Sequence, residues 1–151
     1  GAGGAARAVV AALLDADVKT VTVANRTLAK AENLARDMGE TVTPLPLSDV
    51  SRALPGSDVL VNTTTLGMTG QPPLDLPLDA LPAHAIVADI VYVPLRTRLL
   101  RAAETRRLRT VPGLGMLLHQ AVPGFEKWFG VRPRVTRELH DLVAADIEAG
   151  T

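Results

Sequence analysis

Gly1-Ala2-Gly3-Gly4-Ala5-Ala6 opens the chain and runs straight into the apolar stretch Arg7-Ala8-Val9-Val10-Ala11-Ala12-Leu13-Leu14. The pattern G-x-G-x-x-G/A joins the first strand to the first helix of a dinucleotide-binding βαβ unit. Gly1 suits the tight turn, Gly3 the approach of backbone to a pyrophosphate, and Ala6 the small third position where helix meets sheet. The free N–H groups and positive dipole end of the following helix would face the phosphates. A glycine-alanine run is also an ordinary helix start, so the rest of the chain has to decide. In the order 3-2-1-4-5-6 the strand before such a loop is central. The reading therefore expects a longer protein, with that strand ahead of Gly1.

Helical and strand patterns alternate from there. Residues 19–24 are β-rich and end at Asn25-Arg26-Thr27; residues 28–38 are helical, with Thr27 as cap and Gly39 as stop. A short strand is expected at 41–43, ended by Pro44 and Pro46. A short helix at 48–54, capped by Ser48, then leads to the Pro55-Gly56 turn. Residues 58–62 and 85–91 read as buried strands, flanking a proline-rich loop at 71–82. An amphipathic helix at 97–107 has Leu99, Leu100 and Ala103 inside and arginines outside, and precedes a strand at 109–111. Two helices, 116–129 and 136–148, close the chain; Pro123 should kink the first or mark its first turn. Trp128 and Phe129 are expected as hydrophobic anchors. The fold class is α/β, a Rossmann-like doubly wound parallel sheet without its first strand in this sequence, followed by C-terminal helices.

Sixteen basic and sixteen acidic residues cancel, which argues against a nucleic-acid or anionic-membrane surface. No apolar run approaches the ~20 residues of a membrane span. Without cysteine there is no disulfide or thiolate chemistry, and His84, His119 and His140 lack metal-ligand spacing, so a cytoplasmic protein without metal is expected.

The end of the 19–24 strand sharpens the ligand. An NAD site usually has Asp or Glu there, about 20 residues after the loop, on the ribose 2′-hydroxyl. This chain has Asn25, then Arg26, and Lys30 one turn on. A 2′-phosphate carries about −1.5 to −2 charge near neutral pH. Two or three charge-assisted hydrogen bonds at ~1.5 kcal/mol each would favour NADP over NAD by about a hundredfold or more. The same cations fit a solvated helix start, but there they oppose the dipole. NADP is the expected cofactor.

Taken together, Gly1-Ala2-Gly3-Gly4-Ala5-Ala6-Arg7, Asn25-Arg26-Thr27 with Lys30, Asn62-Thr63-Thr64-Thr65-Leu66-Gly67-Met68, Asp89-Ile90-Val91-Tyr92 and Gly113-Leu114-Gly115-Met116-Leu117-Leu118-His119-Gln120 resemble shikimate dehydrogenases in order and spacing. The resemblance reaches to about Phe129. It implies that Gly1, Ala2, Gly3, Gly4 and Ala5 hold the pyrophosphate, and that Asn25, Arg26, Thr27 and Lys30 hold the 2′-phosphate. Asn62 and Thr63 would close over the cofactor, and Ile90 and Gly113 would line the nicotinamide. Tyr92 and Gln120 would offer a phenol and an amide to the substrate, although a tyrosine at a strand end also simply packs, and a surface glutamine is unremarkable. Asp89, in a buried-strand pattern, needs partners and would order the neighbouring loop.

The family's acid/base lysine–aspartate pair belongs to a substrate domain; Lys19, Lys30 and Lys127 do not match it, so no catalytic residue is expected in this chain. Residues 1–151 are expected to form one partial NADP-binding domain, with 113–151 as a helical segment packing on it. The implied reaction is reversible hydride transfer between NADPH and 3-dehydroshikimate, giving shikimate for aromatic amino-acid synthesis through chorismate. A relative acting on quinate or aminoshikimate, and a non-catalytic nucleotide-binding module, are the alternatives. The expected partner is a small-molecule substrate, with no nucleic acid or membrane, in a monomer or homodimer.

Overall fold

The computed structural model describes residues 1–150 and divides into two compact units, Gly1–Asp58 with Pro77–Pro82, and Val59–Leu76 with the chain from Ala83 on. The first unit contains α1 (Gly4–Asp15), β1 (Val21–Asn25), α2 (Leu28–Met38) and β2 (Val42–Pro46). β1 and β2 pair in parallel, Val21 opposite Val42 and Asn25 opposite Pro46. Ala6 and Val10 of α1, Val21 and Val23 of β1, Ala31, Leu34 and Ala35 of α2, and Val42 form its core. Small Ala6 and Ala31, almost without exposure, fit the tight packing inside that core.

Three expectations shift here. α1 begins at Gly4 and not at Arg7, so Gly4-Ala5-Ala6 forms its first turn. β2 runs on through Pro44 and Pro46, where an end was expected. Val21 N–H donates to Thr41 O at 3.0 Å, so in a parallel ladder residues 41, 43 and 45 face β1, while the prolines face the outer edge, where no N–H is needed. Residues 48–54 form two 3-10 turns, Leu47–Arg52 and Leu54–Gly56, in place of one helix. Pro55 has no N–H to donate to Ser51 O, so an α-helix could not carry on through it, and the Ser48 hydroxyl bonds Asp49 Oδ1 at 3.0 Å instead of capping.

The second unit contains β3 (Val59–Asn62), β4 (Ile86–Asp89), α3 (Arg98–Thr105), β5 (Arg109–Val111), α4 (Gly113–Phe129) and α5 (Arg137–Ala149). Its sheet is parallel in the order β3-β4-β5. α3 packs on β4 and β5 and buries Leu99, Leu100 and Ala103, as its spacing requires. β3 is less buried than its apolar run suggests, with Val59 44% exposed, because it forms an edge of this sheet.

α4 starts at Gly113, three residues before the expected Met116, and continues through Pro123. The proline removes only the bond to the carbonyl of His119, an exposed residue, where water can replace it. The expected anchors are not buried: Trp128 is 80% and Phe129 64% exposed, because α5 packs on α4 without covering this last turn. Among the described residues, Phe129 meets only Phe125 as an aromatic partner, with ring centroids 4.5 Å apart.

Leu34 sits at 1% exposure in the first core. Leu34→Ala is expected to lower stability by about 2–5 kcal/mol, read as a shift in the urea midpoint with the slope unchanged.

Candidate functional site

In the first unit the glycine loop lies at the carboxyl end of β1. The Gly1 nitrogen donates to Ala24 O at 2.7 Å, which ties the start of the loop to the end of that strand. The first intrahelical bond of α1 is Arg7 N–H to Gly3 O at 3.1 Å, so the amides of Gly4, Ala5 and Ala6 have no intrahelical acceptor. Gly3, at the N-cap, brings no side chain to satisfy them. A Cβ built on Gly3 or Gly4 meets nothing within 4 Å. Packing among the described residues therefore does not demand glycine there, and the open space suits close approach of a ligand.

The end of β1 continues directly into α2. Asn25 Nδ2 donates to Thr27 O at 2.8 Å and holds the turn. Thr27 occupies the N-cap position of α2 but its hydroxyl makes no capping bond. Arg26 and Lys30 are exposed, and neither has an ion-pair partner among the described residues. Arg7, by contrast, is held by Asp37 at 2.7 Å. Free amides and two free cations make a donor set that gains more from phosphate groups than from a neutral hydroxyl.

In the second unit Asn62 and Asp89 are register partners at the carboxyl ends of β3 and β4. Both are buried, at 3% and 2% exposure. Asn62 Nδ2 donates to Asp89 Oδ1 at 2.9 Å and to Leu66 O at 3.1 Å. Its Oδ1 accepts from Thr64 N–H at 3.0 Å and Thr64 Oγ1 at 2.7 Å. An amide side chain has two donor hydrogens and two acceptor sites, and all are engaged inside the protein. Asn62 thus contributes the shape of the 62–66 turn, not a free side-chain group, and half-buried Thr63 follows on that turn.

Asp89 accepts two further bonds, from Val91 N–H at 3.0 Å and Thr97 Oγ1 at 2.7 Å. Burial raises its carboxyl above the usual carboxylate range, opposed by the bonds from Thr97, Val91 and Asn62. Thr97, fully buried, also caps α3 by accepting from Leu100 N–H at 3.3 Å. Neither Thr64 nor Thr97 was singled out in the sequence as a site residue. The sequence pattern makes Thr97 the first residue of a helix at 97–107, whereas it is the N-cap of a helix that begins at Arg98; Thr64 appears only as part of the quoted stretch from Asn62 to Met68.

Gly113, at the start of α4, lies against the backbone that leaves β4. A Cβ there would sit 2.5 Å from both Ile90 O and Val91 O. Ile90, Tyr92 and Gly113 thus gather with Thr63 at the carboxyl end of this sheet, where open parallel sheets hold ligands. Gln120 is exposed and lies seven residues along α4 from Gly113, on the same helix face and about 10 Å away along the axis. Among the described residues no group of three or more His, Cys, Asp or Glu could hold a metal. No helix among them is long and apolar enough to cross a membrane.

Comparison with known proteins agrees with this geometry. The Shikimate / quinate 5-dehydrogenase family profile matches residues 1–68, and the Shikimate 5'-dehydrogenase C-terminal domain profile matches residues 113–137. A shikimate dehydrogenase (NADP(+)) of Rhodopseudomonas palustris strain TIE-1 is 58% identical over 147 residues, covering 97% of this chain and 53% of that protein. The chain belongs to the shikimate dehydrogenase family. It spans about half the length of the curated relatives it matches.

Two solved structures of the family superimpose closely. Quinate dehydrogenase from Corynebacterium glutamicum, in complex with NAD, gives a TM-score of 0.84 at 32% identity over 91% of this chain and 50% of that one. Shikimate 5-dehydrogenase from Thermus thermophilus, in complex with NADP(H) and shikimate, gives 0.79 at 35% identity over 97% and 53%. The fold is thus the Rossmann-like α/β fold of shikimate dehydrogenases.

Within this family fold, Gly113 is a packing requirement before it is anything else. Gly113→Ala would push its methyl into two carbonyl oxygens and is expected to cost about 1–3 kcal/mol, measurable by thermal or urea denaturation. An unchanged midpoint would show that the helix start can move away freely.

Proposed function

We propose that residues 1–151 form the cofactor-binding part of an NADP-dependent shikimate dehydrogenase, which transfers hydride reversibly between NADPH and 3-dehydroshikimate. The single observation that carries the cofactor choice is the end of β1. It offers Asn25 with exposed Arg26 and Lys30, free of ion pairs, and no carboxylate. The name of the Rhodopseudomonas palustris relative and the ligands in the Thermus thermophilus structure support the same reading.

In this reading the amides of Gly4, Ala5 and Ala6, with the loop Gly1-Ala2-Gly3, bind the pyrophosphate, and Asn25, Arg26, Thr27 and Lys30 bind the 2′-phosphate. The cofactor, when bound, supplies the hydride chemistry. Asn62 shapes the turn that presents Thr63, while Ile90 and Gly113 form the wall for the nicotinamide. Tyr92 and Gln120 orient the substrate by hydrogen bonds. None of the chain's own groups is assigned the proton transfer. A cytoplasmic location accords with the cysteine-free composition.

A second reading, oxidation of quinate, is favoured by one observation: the quinate dehydrogenase from Corynebacterium glutamicum superimposes with a TM-score of 0.84. Turnover by the full-length protein with each substrate separates the two.

Arg26→Ala is expected to weaken NADP binding about 10- to 100-fold, the loss of one charge-assisted bond or two, and to leave NAD binding unchanged. Calorimetric titration reads both affinities; equal affinity of the wild-type protein for NAD and NADP would refute the phosphate assignment. Tyr92→Phe and Gln120→Ala are expected to raise the substrate KM or lower kcat about tenfold, with cofactor affinity within about threefold of wild type. Steady-state kinetics unchanged in both variants would remove them from the substrate wall.

A further inference from the structure

Asp89 is the one buried carboxylate among the described residues, and its side chain bonds to three segments. Through Oδ1 it holds Asn62, and with it the 62–66 turn, and the amide of Val91; through Oδ2 it holds Thr97 and the start of α3. β4 ends at Asp89, so residues beyond it leave the sheet. Past that point Ile90 N–H still reaches Asn62 O at 3.1 Å, and the Val91 amide is then taken by the Asp89 carboxylate. The Ile90–Val91 peptide, one residue before Tyr92, is therefore held at its N–H by a side chain and not by a neighbouring strand. Gly113 closes the other side of the same backbone, against Ile90 O and Val91 O.

We infer that Asp89 is a positioning residue for Tyr92: its Oδ1, by accepting from Val91 N–H and Asn62 Nδ2, fixes the backbone from which the Tyr92 phenol reaches the substrate. This rests on the substrate role proposed for Tyr92. The two carboxylate oxygens have separable duties. The Oδ1 bonds orient the site, while the Oδ2 bond to Thr97 secures the α3 cap. Asp89→Asn can keep its oxygen toward Asn62 and Val91 and turn its amide toward the Thr97 hydroxyl, which can accept. Thr97→Val breaks only the Oδ2 side. Asp89→Ala removes both sides.

The test uses the full-length protein with all three variants, at a temperature where each is folded by circular dichroism. Asp89→Ala is expected to raise the KM for 3-dehydroshikimate about tenfold, with NADPH affinity within about threefold of wild type. Asp89→Asn and Thr97→Val are expected to stay within about threefold on both, although each lowers the melting temperature. A purely structural Asp89 predicts otherwise: kinetics unchanged in Asp89→Ala, or disturbed in all three in proportion to lost stability. Either result overturns the inference.

Should Asp89→Ala fail to fold, Asp89→Ser replaces it with the same expectations. If the wild-type protein does not reduce 3-dehydroshikimate, the proposed function fails, and amide hydrogen exchange at residues 90–92 decides this inference independently. Faster exchange in Asp89→Ala than in Asp89→Asn and Thr97→Val sustains it, and equal rates reject it.

Discussion

The second unit depends on a carboxylate and a carboxamide set side by side by parallel strand register. Asn62 and Asp89 face each other at the last rung between β3 and β4, and each has only the other and nearby backbone or hydroxyl groups to satisfy it. A buried, isolated carboxylate is costly. With donors from Asn62, Val91 and Thr97 it becomes a junction, and no buried side-chain polar atom among the described residues lacks a partner. Buried polar networks of this kind are worth having only when complete, because the low dielectric that strengthens each bond also penalises each missing one. Completeness here constrains the turn after β3, the exit from β4 and the cap of α3 together.

The first unit solves a different problem, leaving polar groups unsatisfied by the protein. The amides at the start of α1 lack intrahelical acceptors, the α2 cap position makes no side-chain bond, and Arg26 and Lys30 have no counter-ion among the described residues. Gly4, Ala5, Arg26 and Lys30 are exposed, so water satisfies their polar groups at little cost until an anion takes its place. The two units thus put opposite demands on their polar groups. One uses polar groups up to fix backbone, and the other keeps them open for a ligand.

Glycine serves both strategies. Gly3 and Gly4 stand in open space among the described residues, which leaves room for a ligand to approach the backbone. Gly113 is pressed against two carbonyl oxygens, and there the protein itself demands the missing Cβ. The same residue type, in two motifs of the family, answers to two different physical causes.

Much of this was legible in the chain alone. The alternation of strands and helices, the limits of α2 and β5, the buried face of α3, and the Asn25-Arg26 end of β1 all follow from local rules of propensity, capping, periodicity and charge. Other features required the folded neighbours. The prolines of β2 belong in the strand only because they face its outer edge, the exposure of Val59 follows from β3 being an edge, and Trp128 stays uncovered because α5 packs elsewhere on α4. The Asn62–Asp89 bond joins residues 27 apart in sequence, and strand register alone brings them together. Local chemistry determined which residues could bind, cap or pack. Tertiary structure decided which polar groups were consumed in holding the backbone and which remained free, because that depends on what the fold places within hydrogen-bond reach.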